Sequence, residues 1–176
     1  MRLLALALLV SLMTFPGLRA QQNSASPEPR LVIETAKGAI EVRLFPTDAP
    51  KSVAHVLALV KRSFYRGLRI HRVAPSLVQF GDPLTRDMSR RASWGAGGSG
   101  SPIGLAEIST RHTHQRGTVA LAHGGSPTMA DSQLYIMKAA SPGLDGKHTI
   151  IGQVTSGMAV VDKLVIPDLI RQISLK

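Results

Sequence analysis

The chain has 176 residues, a formal net charge of +10 and no cysteine. This length is typical of a single domain with a sizeable core, and without cysteine the chain has no disulfide, no thiolate metal site and no cysteine nucleophile. The positive charge favours anionic partners, but the basic residues are scattered. With one tryptophan, the chain also lacks aromatic side chains interleaved with basic ones for base stacking. We therefore expect no nucleic-acid partner.

Residues 1–20 predict a secretory signal peptide. They combine a basic start at Arg2, an apolar run from Leu3 to Met13 and a small residue, Ala20, that is suited to cleavage. The cleavage pattern is imperfect because the residue two before Ala20 is large, so an uncleaved anchor and a buried N-terminal helix are the alternatives. We expect an exported protein, periplasmic or secreted, that is monomeric and has no stable membrane insertion after cleavage.

The rest of the chain predicts a leader followed by one domain. Residues 21–30 are polar, contain two prolines and predict a disordered leader. The domain is expected over residues 31–176, because neither an internal repeat nor a second-domain linker is found. Short β-rich runs bounded by glycine, proline and serine predict strands at 31–36, 39–45, 117–122, 132–138, 149–154 and 169–175.

Two amphipathic segments predict helices. In the first, Pro50 suits the opening turn and apolar residues recur at helical spacing from Val53 to Val60, which leaves His55 on the solvated face. The second is short and covers residues 157–165. Many short strands with two isolated helices favour a mainly β fold, a closed antiparallel β-barrel whose ends are capped by the two α-helices.

A polar loop from Asp82 to Ile103 contains the sequence GAGGSG at residues 95–100, which matches the glycine pattern of dinucleotide-binding proteins. That pattern needs a preceding strand, a following helix and an acidic residue further on for the ribose. The sequence around the loop predicts none of them. We therefore exclude nucleotide binding and expect these glycines to line a surface groove.

Hydrolytic and metal chemistry have little support in the sequence. No G-x-S-x-G sequence is present to place a serine nucleophile beside a base. His112 and His114 would face the same side of an extended segment, but Arg111 and Arg116 flank them and no acidic residue lies close in sequence. We interpret both as surface histidines and expect no metal site.

Three segments carry the chemical signal. The first has His71-Arg72 and then Gln79 before Gly81-Asp82, the second has Ser132-Gln133, and the third is LDGKH from Leu144 to His148. In this order and spacing they resemble the active-site signature of the cyclophilins, and the resemblance covers essentially the whole mature chain. It implies an eight-stranded, cyclophilin-like barrel and the activity of a peptidyl-prolyl cis–trans isomerase that needs no cofactor.

The residue types suit that reaction. Rotation about an X–Pro bond faces a barrier of about 20 kcal/mol from amide conjugation, and lowering it requires a donor to the prolyl nitrogen, an apolar slot for the ring and groups that hold the flanking carbonyls. By the resemblance, Arg72 is the donor, Gln79 orients it and binds backbone, and His148 lies at the rim of the slot, so these three form the catalytic set. The substrates implied are proline-containing peptides and unfolded exported proteins. The substrate-binding residues implied are Leu77, Leu121, Ala122, His123, Gln133, Tyr135 and Leu144.

The chain departs from the family pattern around the slot. Leu77 stands where phenylalanine is typical, the segment is one residue short so that Val78 is an alternative for this place, and Gly143 stands where an aromatic residue important for cyclosporin binding is common. These departures predict a slow isomerase that is insensitive to cyclosporin. They also leave a second hypothesis, a non-catalytic proline-peptide-binding chaperone with a degenerate site. A third hypothesis, a binder of anionic polymers, rests on the net positive charge.

Overall fold

The computed structural model describes residues 28–176, so the predicted signal peptide and residues 21–27 of the predicted leader lie outside the described residues. Each of the six predicted strand segments overlaps an observed strand, and two more strands lie between residues 72 and 80. The first strand begins at Arg30, inside the predicted leader. The elements in chain order are β1 (Arg30–Thr35), β2 (Gly38–Leu44), α1 (Pro50–Lys61), β3 (Arg72–Val73), β4 (Leu77–Phe80), β5 (Thr118–Leu121), β6 (Leu134–Met137), β7 (Ile150–Ser156), α2 (Met158–Lys163) and β8 (Ile170–Leu175).

All eight strands belong to one antiparallel sheet, in the order β3-β4-β6-β5-β7-β2-β1-β8. The register places Arg72 of β3 opposite Gln79 of β4, and Tyr135 of β6 opposite both Gln79 and Ala120 of β5. Because side chains opposite each other on antiparallel strands lie on the same face of the sheet, these residues are brought together by pairing alone.

The sheet is curled but open, so the prediction of a closed barrel is wrong. Among the described residues, its edges β3 and β8 form no ladder. They are linked by an isolated bridge between Arg69 and Leu169 and by backbone hydrogen bonds such as that from the Ile70 N–H to the Asp168 carbonyl (2.9 Å). The physical reason is that the two residues of β3 pair only with β4, while the backbone hydrogen bonds toward β8 come from residues 67–70, before β3 begins, and are too few for a ladder.

The first helix forms as predicted and shares the main core with the sheet. Its residues Val53, Val56 and Leu59 are buried against the curled sheet. Pro50 is suited to the first turn, where no N–H is needed. The carboxylate of Glu107 accepts hydrogen bonds from the next two backbone N–H groups (3.0 and 2.7 Å), which ties the segment before β5 to the helix.

The second predicted helix is confirmed but shorter than expected. α2 covers six residues after Gly157, and its Val161 is completely buried. The predicted polar loop also contains regular structure, two short 3₁₀ helices at Pro83–Arg86 and Met88–Ser93. Within residues 28–176, no helix combines the length and the apolar character needed to cross a membrane.

Candidate active site

Two neighbouring cavities lie where β4, β5 and β6 meet. The smaller, here called the slot, has a volume of about 120 Å³, and the larger, here called the groove, has about 340 Å³. Gln79, Ala122 and His123 line both, so the two cavities adjoin. Eight of the predicted site residues line the slot, namely Arg72, Leu77, Gln79, Ala122, His123, Tyr135, Leu144 and His148.

The Arg72 guanidinium is exposed at the slot and is held from one side by an amide. Its Nη1 donates to Oε1 of Gln79 (3.2 Å), and Nε2 of Gln79 donates to Oε1 of Gln133 (2.8 Å). Arg72 takes part in no salt bridge with any residue in the described part of the chain. The guanidinium therefore keeps its full charge and further donors available to a ligand.

The glycine-rich segment anchors the far end of this hydrogen-bond chain. Nε2 of Gln133 donates to the carbonyls of Gly95 (2.8 Å) and Gly97 (2.7 Å). The fully buried Asp82 accepts hydrogen bonds from the backbone N–H groups of the same two glycines and from Leu84. The expectation that these glycines line a groove is confirmed. Asp82 thus fixes the segment, and the segment fixes Gln133, Gln79 and finally Arg72.

Aliphatic side chains and one tyrosine form the walls of the slot. Leu77 and Tyr135 belong to a small buried cluster against which Leu144 packs, whereas Val78 lies in the main core. Leu77, and not the alternative Val78, therefore stands in the slot at the position where phenylalanine is typical of the family. No atom lies within 4 Å of a Cβ built at Gly143, so the side expected to carry an aromatic residue is open.

The predicted role of Leu121 in the slot is wrong. Its side chain is completely buried in the main core, whereas Ala120 packs in the cluster beneath the slot and Ala122 lines the slot itself. The reason is the alternation of side chains along a strand, which sends every second residue of β5 to the opposite face. Leu121 contributes its backbone carbonyl, which accepts a hydrogen bond from Nδ1 of His148 (3.1 Å).

His148 lies at the rim of the slot as a neutral imidazole. Burial is the main cause that lowers the pKa of His148, and the nearby charges of His123, His114 and Lys147 lower it further, while the hydrogen bond to Leu121 opposes them. The ring stacks on His123 with centroids 4.3 Å apart. Because Nδ1 donates to a carbonyl, Nε2 is the nitrogen with a free lone pair.

A comparison with protein families shows to which class of protein a chain with this site belongs. The model of the family described as "Cyclophilin type peptidyl-prolyl cis-trans isomerase/CLD" matches residues 30–171. The chain belongs to the cyclophilin family. Curated relatives agree. A probable peptidyl-prolyl cis-trans isomerase of Brucella suis is 38% identical over 146 residues, which are 81% of this chain and 74% of that protein.

Two further relatives carry the same activity in their names, so the activity of this cyclophilin is that of a peptidyl-prolyl cis–trans isomerase. A peptidyl-prolyl cis-trans isomerase of Helicobacter pylori is 37% identical over 80% of this chain and 83% of its own length. Peptidyl-prolyl cis-trans isomerase B of Bacillus subtilis is 35% identical over 78% of this chain and 90% of its own.

Solved structures support the fold. A cyclophilin of Cryptosporidium parvum superimposes with a TM-score of 0.75 at 23% identity, covering 85% of this chain and 98% of that one. Another crystal structure of the same protein, obtained in the presence of the dipeptide Ala-Pro, gives a TM-score of 0.73 at 22% identity, with 84% and 98% covered. At these identities the likeness concerns the cyclophilin fold alone.

Three histidines of this cyclophilin lie where sequence reasoning did not put them. His114 is 1% exposed and binds Asp145 and Tyr135, and His112 stacks on Phe45 with ring centroids 4.1 Å apart, so neither is a plain surface histidine. His55 is half-buried, with 18% of its side chain exposed, and bonds to Asp131 (3.1 Å).

The acidic partners explain why these histidines were missed. Each acidic partner lies 31 to 76 residues from its histidine along the chain, so no local sequence pattern indicates the contact. Within the described residues, no group of three or more His, Cys, Asp or Glu side chains is arranged to hold a metal ion.

Proposed function

We propose that Arg72 is the residue that lowers the rotational barrier in this isomerase. In the twisted transition state the prolyl nitrogen loses its conjugation and regains a lone pair, which a nearby donor stabilises more strongly than it does the planar ground state. The observation that carries the proposal is the exposed Arg72 guanidinium, which is free of carboxylates in the described chain and is held at the slot by Gln79. A permanently charged, planar donor suits this role.

Gln79 acts in this mechanism as a positioning residue. Its amide oxygen is occupied by Arg72 and one of its amide N–H groups by Gln133. The backbone-binding role expected for Gln79 is therefore secondary to its role in orienting the guanidinium. Preorganisation of this kind matters because a donor that is already in place needs no rearrangement as charge develops.

The slot and the groove together favour an extended peptide as substrate. The proline ring would enter the slot against Leu77, Tyr135 and Leu144, with neutral His148 at the rim. The chain at Ala122 and His123 borders both cavities and would hold the peptide as it passes into the groove. Because the lowered pKa of His148 favours its neutral form, Arg72 is the permanently charged donor among the residues that line the slot.

The proposed substrates are proline-containing segments of unfolded exported proteins. The export part rests on the sequence of residues 1–20, with its basic start and apolar run. The loss of aromatic side chains at two places around the slot, where Leu77 and Gly143 replace the residues common in the family, favours a slow enzyme and weak inhibition by cyclosporin.

The experiment compares residues 21–176 with the Arg72→Ala variant in a protease-coupled isomerisation assay on a short X–Pro peptide. Loss of a preorganised charged donor is expected to reduce kcat by about 100-fold or more, with a smaller change in KM. Arg171→Ala, which removes the same charge from an exposed site on β8, is the matched control and is expected to keep full activity.

Two results would contradict the proposal. An active native protein whose Arg72→Ala variant is equally active would remove Arg72 from the mechanism. A native protein that binds proline peptides without accelerating their isomerisation would instead support the chaperone hypothesis.

A further inference from the structure

A buried side chain outside the slot holds the tyrosine that forms one of its walls. The hydroxyl of Tyr135 lies 2.8 Å from Nε2 of His114, and their rings are nearly parallel with centroids 5.9 Å apart. His114 is 1% exposed and does not line the slot. It therefore acts on a ligand through side chains that line the slot. It contacts the His148 ring edge-on, with centroids 6.1 Å apart, and Tyr135 is the lining residue to which it is hydrogen-bonded.

Asp145 decides which way the hydrogen bonds of His114 run. Its Oδ1 accepts both the backbone N–H of His114 (2.7 Å) and the ring N–H at Nδ1 (2.8 Å). These two hydrogen bonds lower the pKa of Asp145 and keep it a carboxylate. With its proton on Nδ1 held by Asp145, the ring presents Nε2 as the acceptor of the hydrogen bond that the Tyr135 hydroxyl donates. The hydroxyl proton is thus directed away from the slot.

We propose that Asp145 and His114 are positioning residues for the proline slot, acting through the hydroxyl of Tyr135. Tyr135 is the tyrosine among the residues that line the slot, and the other side chains there are aliphatic, histidine, arginine or glutamine. Its ring therefore supplies the broad apolar surface of the slot. The same residue lies opposite Gln79 in the sheet, and Gln79 holds Arg72. A fixed Tyr135 ring therefore sets the position of the proline relative to the guanidinium.

The kinetic signature of this role differs from that of Arg72. The proline ring remains in the slot while the rest of the peptide rotates, so the slot binds the ground state and the transition state about equally. Loss of such uniform binding raises KM and leaves kcat nearly unchanged, whereas loss of a contact specific to the transition state lowers kcat. Loss of the hydrogen bond that fixes Tyr135 is therefore expected to raise KM.

Two substitutions at one position separate the two hydrogen bonds of His114. In His114→Gln the amide reaches the place of Nε2 and can still accept from Tyr135, but it loses Asp145. In His114→Asn the shorter amide reaches the place of Nδ1 and keeps Asp145, but it loses Tyr135. Each variant removes one hydrogen bond of His114, so both are expected to be less stable than the native protein. The loss should be larger in His114→Asn, which leaves the buried Tyr135 hydroxyl unpaired, than in His114→Gln, where the partly exposed Asp145 keeps the backbone N–H.

The test, which rests on the function proposed above, is the same isomerisation assay with KM and kcat determined separately. His114→Asn is expected to raise KM about fivefold, the equivalent of one hydrogen bond of about 1 kcal/mol, with kcat within about twofold of the native value. His114→Gln is expected to keep both constants within about twofold. Tyr135→Phe, which retains the ring, should match His114→Asn, and combining the two should cause no further rise.

Equal KM increases in the Gln and Asn variants, in proportion to their lost stability, would overturn the inference and leave His114 a purely structural residue. An unchanged KM in Tyr135→Phe would overturn it as well, and this variant does not depend on how His114 replacements fold. Failure of the proposed function is distinguishable, because in that case the native protein shows no isomerase activity before any variant is compared.

Discussion

At the scale of single residues, two histidines near the site are held in surroundings that disfavour the imidazolium. Burial is the largest cause that lowers the pKa of His71 and of His148 below the ordinary value of 6.5. In His71 the charge of Asp82 opposes the effect, and in His148 the carbonyl of Leu121 does so. Both side chains therefore favour the folded state only while they stay neutral.

We expect the stability of the protein to fall when the pH is lowered from 7.5 to 5.5. In this window the unfolded chain binds protons at both histidines near pH 6.5, while the folded state binds them only at lower pH. Because the unfolded state holds more protons, the free energy of unfolding rises with pH up to about 6.5 and the stabilisation is lost below it. Carboxylates with a lowered pKa, such as Asp145, titrate below about pH 4 and do not contribute here.

The measurement is the urea midpoint at several pH values for the native protein and for His148→Gln, which removes one titrating group from the window. The variant should show a weaker dependence on pH, whatever its stability at pH 7.5. A native midpoint that is independent of pH between 5.5 and 7.5 would contradict the expected neutral burial.

Local pairing and the resemblance to the cyclophilins together indicated most residues of the slot, whereas sequence reasoning missed the residues that support it from distant segments. Arg72 and Gln79 are seven residues apart on a hairpin, so their contact follows from local pairing. His114 meets Asp145 and Tyr135 only because separate segments pack together, 31 and 21 residues away. Leu121 was misplaced because a one-residue step along a strand reverses the direction of the side chain.

At the scale of elements, the segment between β4 and β5 carries the least regular structure and much of the site. Its glycines allow the backbone to pass close to Asp82 and Asp131, and a Cβ at Gly97 or Gly98 would lie 2.2 Å and 2.6 Å from their carboxylate oxygens. The glycine pattern in the sequence indicated a groove, but the sequence could not indicate that a buried carboxylate holds it in place.

We expect Gly97→Ala to lower kcat/KM by about fivefold, since the new methyl group displaces the segment and weakens the hydrogen bond from Gln133 to the Gly97 carbonyl. A shift of Gln133 would move Gln79, to which it is hydrogen-bonded, and Gln79 in turn holds the Arg72 guanidinium. The matched control is Gly143→Ala, whose methyl group enters open space on the other side of the slot.

Steady-state kinetics and urea unfolding of both Gly variants would be measured together. If Gly97→Ala proves fully active, Gln133 does not transmit the position of the segment to the guanidinium. A loss of the same size in Gly143→Ala would show instead that the assay responds to any change near the slot.

At the scale of the whole molecule, the sequence predicted which segments form strands but not how the sheet ends. Alternating and β-rich runs indicate strands because one face is buried, and six segments were found in this way. Closure of the sheet depends on whether its two edge strands, β3 and β8, pair over enough residues. These strands are about 100 residues apart in the chain, so no local pattern indicates their pairing. The residues of β3 pair only with β4, so the sheet stays open, and Arg69 and Leu169, which precede β3 and β8, form an isolated bridge between its two edges.

Export is a property of the whole chain that the sequence of residues 1–20 predicts. Removal of this segment, with Arg2 and Arg19, leaves 19 basic and 11 acidic residues and a net charge of +8. We expect the full-length protein, expressed in a Gram-negative bacterium, to be recovered from the periplasm with an intact mass that begins near Gln21. Leu6→Arg places a charge in the middle of the apolar run at a cost of about 2.5–3.5 kcal/mol in a membrane-inserted helix, so this variant should stay in the cytoplasm at full length.

Leu6→Val keeps the segment apolar and is the matched control, expected to be exported and cleaved like the native chain. Recovery of the uncleaved protein from the membrane fraction would replace the signal peptide by an anchor. Recovery of the uncleaved protein from the cytoplasm, unaffected by Leu6→Arg, would make the segment part of the folded domain and would remove exported proteins from the proposed substrates, while the assignment of Arg72 would stand on its own assay.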